Sequence, residues 1–134
     1  MIKNYTGDVL NFGRAVERFK SEHVIQEKPV PKIVMVIVGD DVGVVNENDD
    51  DEGGVGQRSL AGTVLVDKLA GAYAADGGSL KAAKQAAEYV ANHTFSIGCA
   101  LNVASIPVQG FPRTLQDDEI EVGMGIHNEP GFEK

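Results

Sequence analysis

The side chains of this sequence that could do chemistry are few, and their spacing sorts them. His127 stands apart from the other two histidines. It follows Gly123-Met124-Gly125-Ile126 and runs into Asn128-Glu129-Pro130-Gly131, so it leaves a strand by way of a turn. Strand exits are where α/β folds gather ligand chemistry, and a neutral imidazole can act as nucleophile or proton acceptor near pH 7. A surface turn histidine is the competing reading. His23 and His93 each end a helical segment, where a histidine serves to compensate the helix dipole. Neither is spaced with a second His or Cys as a metal pair requires. Asp8 stands in a turn before a helix and reads either as a helix cap or as a functional group. Lys3 carries no local signal.

The glycine-rich stretch invites a phosphate-binding reading, which fails on inspection. After Gly56 come Gln57-Arg58-Ser59, without the lysine of a nucleotide-binding P-loop. Gly54-Val55-Gly56 lacks the third glycine of a dinucleotide fingerprint. The acidic residues 46–52 suggest a calcium loop, but Ser59 occupies the position of its closing glutamate. Residues 41–56 therefore read as a solvated, acidic, glycine-rich loop.

The elements that must position these groups alternate. Val9, Phe12, Val16 and Phe19 fall at helical spacing over 9–22, with Thr6 or Asp8 as the expected N-cap. Ile33-Val34-Met35-Val36-Ile37-Val38 is unalternating and β-branched, as expected of a strand covered on both faces. Residues 59–75 are apolar on most of a helical surface through Leu60, Val64, Leu65, Leu69 and Tyr73, which predicts a buried helix. Gly77-Gly78 stops it, and Ser79 caps a third helix over 80–92. Strands are expected over 95–103 and 119–126. In the second, Ile120, Val122, Met124 and Ile126 alternate with Glu119, Glu121, Gly123 and Gly125, the period-two pattern of a half-buried strand. Helices interleaved with strands imply an α/β or α+β architecture, and both ends read as trimmed.

At 134 residues the chain is one domain or a piece of a larger one. Hydrophobic residues at 43% and charged residues at 24% exclude wholesale disorder. A net charge of −8, from 20 acidic and 12 basic residues, argues against a nucleic-acid partner. No apolar run approaches the roughly 18 residues that a bilayer requires. The lone Cys99 leaves no internal disulfide and fits a reducing cytoplasm.

Taken together, six segments resemble the substrate-binding K domain of the dihydroxyacetone kinases. They are Lys3-Asn4-Tyr5-Thr6-Gly7-Asp8 with Asn11-Phe12, Gly39-Asp40-Asp41-Val42, Gly56-Gln57-Arg58, Leu60-Ala61-Gly62-Thr63-Val64-Leu65, Ser96-Ile97-Gly98, and Gly123 to Gly131. Their order and spacing are those of the family and cover nearly the whole chain, so residues 1–134 resemble one partial K domain. The Gly-Ile-His-Asn-Glu-Pro-Gly form leans toward the ATP-dependent single-chain kinases.

The resemblance implies an α/β fold and covalent capture of dihydroxyacetone. A nitrogen of His127 would add to the ketone as a hemiaminal, Asp8 would assist proton transfer at the substrate hydroxyl, and Lys3 would hydrogen-bond the substrate. No cofactor site is implied in this chain; ATP and magnesium are expected on a nucleotide-binding domain of the same or a partner chain. The family's upstream glycine-serine-glycine-histidine segment has no counterpart here, and residues 46–52 do not fit the family pattern. The chain alone is therefore expected to be inactive and to self-associate as a homo-oligomer. A dihydroxyacetone-binding regulator without kinase chemistry is the alternative.

Overall fold

The structure is a computed structural model of the 134-residue chain and describes residues 1–43 and 57–134. The acidic run at 46–52 lies outside the described residues. Among those described, three helices interleave with four short strands in two pairs. Strand β1 (Ile2–Lys3) runs parallel to β2 (Ile37–Val38), with Ile2 opposite Ile37 and Lys3 opposite Val38. Strand β3 (Cys99–Ala100) runs antiparallel to β4 (Glu121–Val122), with Cys99 opposite Val122. A parallel bridge from Asp41 to Ser96 connects the end of the first pair to the approach of the second.

Helix α1 (Thr6–Ile25) starts earlier than the apolar spacing predicts, and neither Thr6 nor Asp8 caps it. Tyr5 is the extended residue at its start and offers no side-chain cap. Asp8 instead sits in the first turn, where a carboxylate meets the positive end of the helix dipole. His23 stands in the last turn as expected, its ring bonded to the Phe19 carbonyl at 2.9 Å. No α1 residue is buried, so the Phe12 and Phe19 stripe has no cover among the described residues.

The 33–38 run is covered on one face and not on two. Val36 and Val38 are buried while Val34, Met35 and Ile37 are exposed. One face suffices because α2 (Gly62–Ala75) and α3 (Leu80–Asn92) pack there, closing a core of Val36, Val38, Val66, Ala70 and Ala87. Helix α2 is correspondingly less buried than its composition predicts. Only Gly62, Val66 and Ala70 are inside, a stripe at four-residue spacing, while Val64, Leu65 and Tyr73 face out.

The start of α2 is set from a distance. The buried carboxylate of Asp40 accepts hydrogen bonds from the Leu60 and Gly62 amides at 2.9 and 2.7 Å and from the Ser59 hydroxyl at 3.0 Å. It serves as an N-cap supplied by the strand and not by the preceding residue. Burial pushes the Asp40 pKa upward, but these bonds and one from Ser96 outweigh it, and the group stays below the usual carboxylate range. At the far end Gly77 adopts φ +78°. The Gly77 amide donates to the Ala74 carbonyl at 3.2 Å and the Gly78 amide to the Tyr73 carbonyl at 2.8 Å, a Schellman closure. Ser79 then caps α3, its hydroxyl accepting from the Ala82 amide at 3.2 Å.

In the second strand pair the expected alternation holds at Met124, which is buried, and fails at its start. Ile120 is exposed and Glu121 is buried. The reason is pairing across a loop: Arg113 forks onto both Glu121 oxygens, and the Gly131 amide donates to Oε1. Hydrogen bonding from Arg113 holds the Glu121 carboxyl at about 2 despite burial. Val103, Leu115 and Met124 form a second apolar cluster beside it. Among the described residues, no helix is long and apolar enough to cross a membrane.

Candidate functional site

Three consecutive side chains at the end of β1 fasten that strand to the segment leading into α2. Lys3 Nζ donates to the Leu60 carbonyl at 3.0 Å, Asn4 Nδ2 to the Gln57 carbonyl at 2.8 Å, and the Tyr5 hydroxyl to the Ser59 carbonyl at 3.0 Å. Burial, reinforced by the nearby Glu129 charge, raises the Tyr5 pKa, so the phenol stays a neutral donor.

The Tyr5 ring meets the His127 ring edge-on, with centroids 4.9 Å apart. Through this contact the Lys3–Asp8 segment and the His127 turn are brought together. Lys3 is half-buried, and Asp8 is exposed in the first turn of α1, three residues beyond Tyr5. Tyr5 is thus the residue of this segment that touches His127, while Lys3 is bonded to the Leu60 carbonyl and Asp8 lies in the first turn of α1.

His127 follows β4 in a tight turn. The Gly125 amide donates to the Glu129 carbonyl at 3.0 Å, and the Asn128 amide donates to the Gly125 carbonyl at 3.1 Å. Asn128 takes φ +65°, a left-handed conformation that asparagine tolerates better than most residues. Its side chain makes a two-point bond with the Ala104 backbone, accepting at 2.7 Å and donating at 2.9 Å. Gly125 is pressed by the Glu129 carboxylate and an Arg58 nitrogen where a Cβ would stand, so a side chain there would displace them.

Glu129 holds His127 at two points. Its Oε2 accepts from the His127 amide at 2.9 Å, and its Oε1 lies 3.1 Å from Nδ1. Burial pushes Glu129 upward, but hydrogen bonds from its own amide and from His127 prevail and keep it below the usual carboxylate range. An ionised carboxylate can only accept, so Nδ1 carries the proton and Nε2 presents its lone pair. The ring is largely exposed, with 62% of the side chain accessible. Such an arrangement can deliver a neutral, oriented imidazole nitrogen to an electrophilic carbon.

The sequence reading assigned no role to Glu129, Tyr5 or Arg58. Glu129 was within reach, because a carboxylate two residues beyond a turn histidine can fold back onto it. Tyr5 and Arg58 act across more than fifty residues and leave no local signal. Asp41, placed by sequence at the head of a solvated loop, is fully buried. His93 stacks on Tyr89 and bonds its carbonyl, and Cys99 is a free, exposed thiol. Among the described residues, no three His, Cys, Asp or Glu side chains converge to hold a metal ion.

An α/β unit that presents a carboxylate-oriented imidazole at a strand exit defines the class of domain. The Dak1 domain model matches residues 1–134, and the chain belongs to that family. It is 42% identical over 135 residues to the Escherichia coli K12 protein named "PEP-dependent dihydroxyacetone kinase, dihydroxyacetone-binding subunit DhaK", covering 100% of this chain and 35% of that one. The crystal structure of the dihydroxyacetone kinase of C. freundii superposes with a TM-score of 0.76 at 38% identity, over 97% of this chain and 22% of that one. The dihydroxyacetone kinase operon co-activator Dha-DhaQ superposes at 0.73 with 30% identity, over 98% of this chain and 37% of that one. The chain therefore spans between about a fifth and two fifths of the relatives it matches. The K-domain resemblance read from the motifs is correct.

Proposed function

We propose that this chain is the part of a dihydroxyacetone kinase that captures dihydroxyacetone. The observation that carries the reading is the Glu129–His127 pair, in which the carboxylate lies 3.1 Å from Nδ1 and so leaves the lone pair of a neutral ring on Nε2, in a side chain 62% exposed. Nε2 adds its lone pair to the ketone carbon, and the carbonyl π electrons move to oxygen. Nδ1 gives its proton to Glu129, which passes it to water while the alkoxide takes one proton from water, so the hemiaminal is neutral and the proton count is unchanged. Capture selects a ketone over glycerol, which has hydroxyls of similar reach but no carbonyl.

Asp8 then takes the proton of the substrate hydroxyl as its oxygen attacks phosphorus. Lys3 supplies hydrogen bonds to the substrate. The phosphoryl donor, ATP with magnesium, would sit on a nucleotide-binding domain outside this chain. The E. coli relative is named for PEP instead, so donor identity is tested separately from capture. A cytoplasmic setting and self-association belong to the same proposal. In the full-length protein, phosphorylation of dihydroxyacetone with ATP, compared with PEP and its carrier proteins, distinguishes the donors. Turnover with neither would favour a second reading, a dihydroxyacetone-binding regulator, which the likeness to the operon co-activator supports.

A further inference from the structure

Arg58 is a buried cation, only 6% exposed. Its guanidinium joins two parts of the site. Nε donates to Asp41 Oδ2 at 2.8 Å, and Nη2 donates to the Gly123 carbonyl at 2.7 Å. Nη1 lies against Gly125, 2.5 Å from where a Cβ would be, on the side where the Glu129 carboxylate also packs. Both anchors are fixed. Asp41 Oδ1 accepts from the Gly43 amide at 2.8 Å, and the Asp41 amide donates to the Arg58 carbonyl at 2.9 Å. Gly123, at φ +81°, donates its amide to the Gly98 carbonyl at 2.7 Å.

We propose that Arg58 is a positioning residue for His127, its planar fork setting the 123–129 turn on the end of the sheet and so the direction of Nε2. The inference rests on reading His127 as the nucleophile. The geometry requires arginine in particular. A lysine could satisfy Asp41 as a point charge, but it could not reach Asp41, the Gly123 carbonyl and the floor of Gly125 together. Displacing the turn moves Glu129 with it, so both the aim of the imidazole and its tautomer depend on the fork.

The test uses the full-length protein with dihydroxyacetone labelled with carbon-13 at the carbonyl. Arg58→Lys keeps the charge beside Asp41 and removes the fork. In this variant we expect capture, read as the tetrahedral carbon signal, to fall on the order of 100-fold, the usual effect of misplacing a reacting atom by about 1 Å. The nitrogen-15 signals of His127 should move from a single Nδ1–H tautomer to a mixture, a change that a purely structural role would not produce. If Arg58→Lys does not fold, Asp41→Asn decides the matter, because it weakens the anchor of the Arg58 fork without touching Gly125 or Glu129; the same two changes are expected. Folded variants with wild-type capture and unchanged His127 signals would overturn the role of Arg58. Absence of a tetrahedral carbon in the unsubstituted protein would instead sink the nucleophile reading on which the proposal stands.

Discussion

Two glycines of α2 should respond to the same substitution with opposite signs. A Cβ on Gly62 would stand 2.8 Å from Asp40 Cβ and Cγ and 2.7 Å from Thr94 Cγ2, all closer than real Cβ contacts allow. A Cβ on Gly71 would meet nothing within 4 Å. Gly71→Ala should therefore stabilise by about 0.5–1 kcal/mol, the ordinary gain from restricting the unfolded chain and improving helix propensity. Gly62→Ala starts from the same gain but forces Asp40 away. Overpacking costs about 1–3 kcal/mol, and weakening a charge-assisted bond, here the 2.7 Å contact from the Gly62 amide, costs up to about 1.5–3 kcal/mol. The net expectation is a loss of about 1.5–5.5 kcal/mol, given that the bond is substantially broken. Urea midpoints of the two variants, measured beside the wild type, read the difference directly. Equal stabilisation by both would mean that the Asp40 carboxylate does not cap α2, and the account of how that helix begins would fail.

Three further outcomes follow from the same structure. Glu121 titrates near 2 when folded against an ordinary value of 4.5, so its stabilisation is complete above pH 4.5 and lost as pH falls from there toward 2; Glu121→Gln should flatten a plot of urea midpoint against pH across that window, and an unchanged slope would refute the Arg113 pairing. Ser79→Ala removes the hydroxyl that accepts from the Ala82 amide and should cost about 1 kcal/mol by the same midpoint assay. Asp8→Asn in the full-length protein should leave covalent capture intact and depress phosphate transfer, because the proposal places the carboxylate at the hydroxyl and not at the carbonyl; loss of capture itself would contradict that assignment.

What was legible in the sequence was local. The Gly77-Gly78 stop, the Ser79 cap and the span of α3 each depend on neighbours within a turn, and each is where the residues placed it. Strand lengths were not legible, because a ladder ends where its partner ends. The burial of Glu121 depends on Arg113 reaching it across a loop, so period-two alternation pointed the wrong way. The cap of α2 comes from Asp40, 22 residues before Gly62, and no helix-start rule looks that far. At the candidate site, the turn that carries His127 was legible from its glycines. Its orientation was not, since that depends on Glu129 folding back, on Tyr5 arriving from the first strand and on Arg58 bridging to Asp41.

The central claim is that His127 Nε2 bonds to the substrate carbon. The most direct measurement is the carbon-13 spectrum of carbonyl-labelled dihydroxyacetone bound to full-length protein whose histidines carry nitrogen-15. The account predicts a tetrahedral carbon with a one-bond coupling to an imidazole nitrogen, a coupling that the free ketone hydrate cannot show. In His127→Ala that coupled signal should vanish. A ketone signal from bound substrate in the unsubstituted protein, or a tetrahedral carbon with no nitrogen coupling, would contradict it.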